Sequence, residues 1–182
     1  ERAAALAEKN DSSLASPLRE LSDHLKQWEH SPSPERALAI GDAFGRLRFG
    51  LRNNRYLSWR GRHLRHAAEL GLLTDSFPKN NPHWSAIQWY DELMERWPDH
   101  ELVPEALHRS AIAAFWTSDW DAYWLTHERP KSAATAWSLA PNPRWIEEGA
   151  DRLRRLLRIA PHCPQADDAR RRLAWAEEML DD

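Results

Sequence analysis

The chain contains one cysteine, Cys163, in 182 residues, so no internal disulfide can form. Glycine is scarce at 6, and apolar and polar residues do not alternate over any stretch of strand length, which argues against a β-rich fold. No apolar run is long enough to cross a bilayer as a helix. Lysine is confined to Lys9, Lys26, Lys79 and Lys131, and a formal charge of -3 gives no global attraction to nucleic acid or anionic lipid. There is no phosphate-binding glycine loop, nucleophile elbow or HExxH, and no carboxylate pair beyond surface clusters. His63 and His66 share a helical face, but no Cys, Asp or Glu lies nearby to complete a metal site. Cys163 next to His162 is a turn dipeptide beside prolines, since a nucleophile and its base usually converge from distant segments. The residues therefore predict a non-catalytic protein without cofactor or metal. The chain opens at Glu1 rather than Met, so an N-terminal segment is expected to be missing, and whether it held a signal peptide or membrane anchor stays open.

What the chain does have is tryptophan and proline. The 11 tryptophans can each bury roughly 150–250 Å². They either wedge helices at crossing points or line a groove for a ligand. The 12 prolines fall at helix ends. Ser16-Pro17, Ser33-Pro34 and Asn142-Pro143 set a capping side chain before a first-turn proline, while Val103-Pro104 and Cys163-Pro164 start helices with a poorer cap. Pro98, Pro130, Pro141 and Pro161 close the helices before them. Helices are predicted over 17–29, 34–50, 55–70, 83–97, 104–117, 119–128, 143–160 and 165–180, with a polar loop at 72–82 and a short helical turn at 132–140. Residues 1–16 read as a loose end, and 17–182 as one all-α domain.

Two stretches repeat each other when Pro98 is aligned with Pro161. Leu93 then falls on Leu156, Ala106 on Ala169, Arg109 on Arg172 and Ala111 on Ala174. Repeated helical hairpins point to an α-solenoid, a stack of antiparallel helix pairs. Ala86, Tyr90 and Pro98 carry the spacing of the second helix of a tetratricopeptide repeat, and Gly149, Leu153 and Pro161 repeat it more loosely. Glu95-Arg96-Trp97-Pro98-Asp99 with Pro104-Glu105-Ala106-Leu107 resembles the tetratricopeptide-like lipoproteins of the BamD type, over 83–117 and 146–178. His108 stands where that family prefers glycine and Ala111 where it prefers tyrosine. The resemblance implies a helical stack over 83–180 with a concave face for another protein. It leaves 17–71 as an irregular helical cap. It also implies work in envelope assembly, in the periplasm of a Gram-negative bacterium.

The candidate binding residues form two sets. One lies in an arginine-rich segment, Phe44 to His66, that holds no acidic residue: Arg52, Arg55, Tyr56, Trp59 and Arg62. These arginines either pair with an acidic face built from Asp91, Glu92, Glu95, Asp99, Glu101 and Glu105, or grip an acidic protein partner, or grip phosphates and bases. Overall negative charge disfavours nucleic acid. The other set is aromatic: Trp89, Trp116, Trp120, Tyr123 and Trp124, with Tyr90, Trp97 and Phe115 beside them. Such side chains anchor protein interfaces. Three readings remain open: an adaptor holding an extended or acidic segment of a partner protein, an accessory or maturation factor docking on a periplasmic enzyme or redox complex, and a module stacking small ligands or glycans on tryptophan.

Overall fold

A computed structural model describes residues 15–53, 82–125 and 143–181, with side chains at 16–46, 83–117 and 143–181. All regular structure among the described residues is α-helical: α1 (Ala15–His30), α2 (Pro34–Asn53), α3 (Pro82–Arg96), α4 (Val103–Leu125), α5 (Pro143–Ile159) and α6 (Ala166–Asp181). No described helix is long and apolar enough to cross a membrane. The expected helix at 55–70, the turn at 132–140 and most of the loop at 72–82 lie outside the described residues, as do residues 1–14.

Two of the expected boundaries change. Residues 104–117 and 119–128 were expected as separate helices, yet α4 runs unbroken from Val103 to Leu125. No glycine or proline follows Pro104 within it, and the Thr117 hydroxyl donates to the Ala113 carbonyl at 2.9 Å without opening the helix. Cys163-Pro164 does not start a helix. The Cys163 carbonyl accepts from the Ala166 amide at 3.0 Å within a turn, and the α6 ladder begins with Gln165 accepting from Ala169 at 2.9 Å.

The chain divides into two compact units, Glu1–His100 and Glu101–Asp182. In the first, α2 packs against both α1 and α3. Its core is Leu21 of α1, Ala37, Ile40, Ala43 and Phe44 of α2, and Ala86, Ile87, Tyr90, Leu93 and Met94 of α3. Ser33 caps α2: its hydroxyl accepts from the Arg36 amide at 3.3 Å and its carbonyl from Ala37 at 3.0 Å. Glu35 in that first turn bonds its own backbone amide and the Ser33 hydroxyl, which lowers its pKa below the ordinary carboxylate value. A Cβ added at Gly41 would overlap the Tyr90 ring, so only glycine lets α3 lie this close to α2.

In the second unit α5 packs against both α4 and α6, and α4 is buried on several sides. Val103, Ala106, Leu107, Ser110, Ala111, Ala113, Ala114, Phe115 and Thr117 are all buried, and they lie on more than one side of it. Helix α5 presents a single apolar stripe to α4, comprising Trp145, Ile146, Gly149, Ala150, Leu153 and Leu156. Helix α6 packs on α5 through small residues, Ala166, Ala169 and Ala176 being buried. Arg154 ties the same two helices at the surface, reaching Asp151 at 2.8 Å and Glu177 at 3.1 Å. Here again a glycine admits an aromatic ring: a Cβ at Gly149 would overlap Phe115.

The turns that follow Pro98 and Pro161 share one hydrogen-bond pattern. Trp97 donates to Leu93 at 2.9 Å and Ala160 to Leu156 at 2.8 Å. His100 donates to Trp97 at 3.1 Å and Cys163 to Ala160 at 3.2 Å. Ala106 and Ala169 each donate at 2.9 Å, to Leu102 and Gln165. Leu93 and Leu156 are both fully buried, as are Ala106 and Ala169.

Candidate functional site

An open concave surface within the second unit lies between α4 and α6. Each helix contributes a stripe at one-turn spacing. His108, Ile112, Phe115 and Trp116 line one face of α4, and Asp168, Arg171, Arg172 and Trp175 line the facing stripe of α6. Ile112, Phe115 and Trp116 with Asp168, Arg171, Arg172 and Trp175 bound an open groove of about 360 Å³. That volume falls in the usual range for ligand pockets.

Its floor is apolar. Phe115 is buried against Gly149 and meets Trp175 edge to face, with ring centroids 5.3 Å apart and planes at 79°. Trp175 itself is 41% exposed, an unusual position for so large an apolar side chain. Trp116 is half-buried.

Its polar rim is organised by one carboxylate. Asp168 Oδ2 accepts from Arg172 Nε at 2.5 Å and lies 2.8 Å from His108 Nε2, while Oδ1 accepts from Arg171 Nη2 at 3.0 Å. Partial burial pushes the Asp168 carboxyl upward, but the Arg172 and His108 hydrogen bonds and their charges outweigh it. The net effect holds Asp168 below its ordinary pKa. Two guanidiniums thus share a single anion, and each keeps further N–H donors beyond that contact. The neighbouring carboxylate, Glu105, is engaged elsewhere, by Arg109 and by Gln165 Nε2 at 2.8 Å. Among the described residues no three metal-ligating side chains converge.

The predicted residues are distributed as follows. Trp116 lies in this groove. Trp120, Tyr123 and Trp124 lie on the last turns of α4, but their side chains are outside the described set. Arg52 is on α2 with its side chain likewise outside it, and Arg55, Tyr56, Trp59 and Arg62 lie outside the described residues altogether, as do His63 and His66. Trp89 is in the first unit, half-buried and edge-on to Trp28 at 5.0 Å. Trp28 also meets Trp97 edge-on at 6.1 Å, and the Arg96 guanidinium lies 5.3 Å from the Trp28 ring. These three tryptophans act as wedges between α1 and the end of α3.

Two of the expected aromatic anchors are core residues instead. Tyr90 is 4% exposed, its ring fills the space over Gly41, and its hydroxyl donates to Asp42 Oδ1 at 2.9 Å. Phe115 is also buried and reaches the groove only as its floor. Of the arginine-rich segment, Arg46 pairs with Glu20 of the neighbouring helix α1, and the expected pairing of the other arginines with the acids of 91–105 rests on side chains outside the described set. Glu92 pairs with Arg96 one turn along its own helix, at 2.5 Å.

The sequence reading overlooked Asp168, Arg171, Arg172 and Trp175. A signal for them exists in the spacing i, i+3, i+4, i+7, which puts all four on one face of α6. Comparison with protein-family models, with curated proteins and with solved structures finds no match to this chain.

Proposed function

We propose that this chain is a non-catalytic helical-repeat scaffold, a tetratricopeptide-like stack of helix pairs, that binds a segment of another protein. The observation that carries this reading is the groove between α4 and α6, where an exposed tryptophan stands beside two arginines that share one carboxylate. Exposed aromatic and arginine side chains supply most of the energy of protein interfaces when they are desolvated together. The matched turns after Pro98 and Pro161 support the repeat, since the same hydrogen bonds recur at the same places. Envelope assembly in the periplasm is the setting that the resemblance to BamD-type lipoproteins implies.

The test is affinity capture from the source cell with the full chain, against a Trp116→Ala/Trp175→Ala variant shown by circular dichroism to keep its helices. The purified partner is then titrated against both chains. The reading requires a partner that binds the parent chain directly and loses most of its affinity for the variant. Equal binding to the two chains, or no partner, overturns it.

A further inference from the structure

The rim chemistry of the groove narrows what it takes. Asp168 is the one acid among the groove-lining residues, and it faces two arginines on its own helix. The lining therefore holds one positive charge in excess, on a chain whose formal charge is -3. A local excess opposite to the global sign selects for an anionic group and disfavours cationic ones. Arg171 is the outer of the two, with its side chain 77% exposed, and only Nη2 is used in holding Asp168. Its remaining N–H groups are left to form charge-assisted hydrogen bonds to an oxyanion. One helical turn further along, Trp175 and Phe115 offer an aromatic edge-and-face pair, with Trp116 and Ile112 opposite. Anion seat and aromatic slot thus lie a single turn of α6 apart, about 5 Å.

We propose that this groove binds an extended peptide segment in which an acidic side chain, aspartate or glutamate, stands two residues from an aromatic one, so that both face the groove. The acid bridges to Arg171 and Arg172, and the aromatic ring packs against Trp175 and Trp116. Residues two apart in an extended segment share a face with their Cα atoms about 6.5–7 Å apart, comparable to the one-turn step between the two subsites. The carboxylate it takes is that of a side chain within a peptide and not a terminal one. This inference rests on the scaffold reading above and specifies its ligand.

The experiment titrates the full chain, by calorimetry and tryptophan fluorescence, with a hexapeptide blocked at both ends that carries one aspartate and, two residues on, one phenylalanine among alanines. Parallel titrations use its asparagine counterpart, the same peptide with a free C-terminus, and free phenylacetate. The expected result is saturable binding of the blocked aspartate peptide, weakened by roughly tenfold for the asparagine peptide and for Arg171→Gln, the loss of one charge-assisted contact. Binding should also weaken as salt is raised. Arg171 is exposed, so the variant keeps the fold, and a Trp175→Leu chain checks the aromatic subsite separately. Equal binding of aspartate and asparagine peptides, or no effect of Arg171→Gln, overturns the inference. So does phenylacetate binding as tightly as the peptide, or a marked gain from a free C-terminus. If these peptides fail while the captured partner still binds and still depends on Trp116 and Trp175, the ligand assignment falls and the scaffold reading stands.

Discussion

Gly41 and Gly149 each lie in a helix interior, where replacing glycine by alanine ordinarily stabilises by about 1 kcal/mol. Here the added methyl group meets the ring of Tyr90 or Phe115, a residue packed in the core. Overpacking of that kind costs about 1–3 kcal/mol, which outweighs the gain in propensity. Gly41→Ala and Gly149→Ala should therefore both lower the urea midpoint, and a rise in either would show that the rings can move aside. Asp168 gives a prediction with a pH sign. Its folded pKa is depressed, so its contribution is present above the unfolded carboxyl value and is lost as pH falls through the folded one. Asp168→Asn should reduce stability near neutrality by at most about 1 kcal/mol, given partial exposure, and the deficit should shrink below about pH 4. Urea titrations of both chains across that range check it.

At the scale of elements, the matched turns make equivalent residues of Leu93 and Leu156. Both are fully buried and both carbonyls accept the last amide before the proline turn. Truncation of a buried leucine costs about 2–5 kcal/mol, so Leu93→Ala and Leu156→Ala should each fall in that range. A negligible loss at one site alone would deny the equivalence. This register was legible from the sequence because a proline fixes its place in a turn whatever surrounds it. Helix ends marked by Ser33-Pro34 were legible for the same reason. The packing partners were less so. The strongest associations, α2 with α3 and α4 with α5, join helices separated by long intervening stretches, which no local pattern predicts. The groove was half legible: Trp116 stood out as an aromatic, whereas Arg171 and Trp175 were hidden in a stripe that reads as an ordinary charged surface. Tyr90 misled because its hydroxyl finds Asp42, so that a residue suited to an interface is satisfied inside the core.

At the scale of the whole molecule, the division after His100 leaves a second unit with its own buried core of α4, α5 and α6. Residues 101–182 alone should keep a helical circular-dichroism spectrum and unfold in a single cooperative transition. A featureless spectrum or a gradual melt would show that the core depends on the other unit. In the full chain, two cores of this kind predict that tryptophan fluorescence and far-ultraviolet signals need not report one shared transition.

The six-residue links 97–102 and 160–165 carry the same hydrogen bonds on almost unrelated sequences, Trp-Pro-Asp-His-Glu-Leu and Ala-Pro-His-Cys-Pro-Gln. Only the proline is common to both at the same place. A chain with the two links transplanted into each other's position should therefore keep both sets of turn hydrogen bonds and the same helical circular dichroism. By the same logic such a joint is a natural splice point, where a further module can be grafted without rewriting the helices on either side.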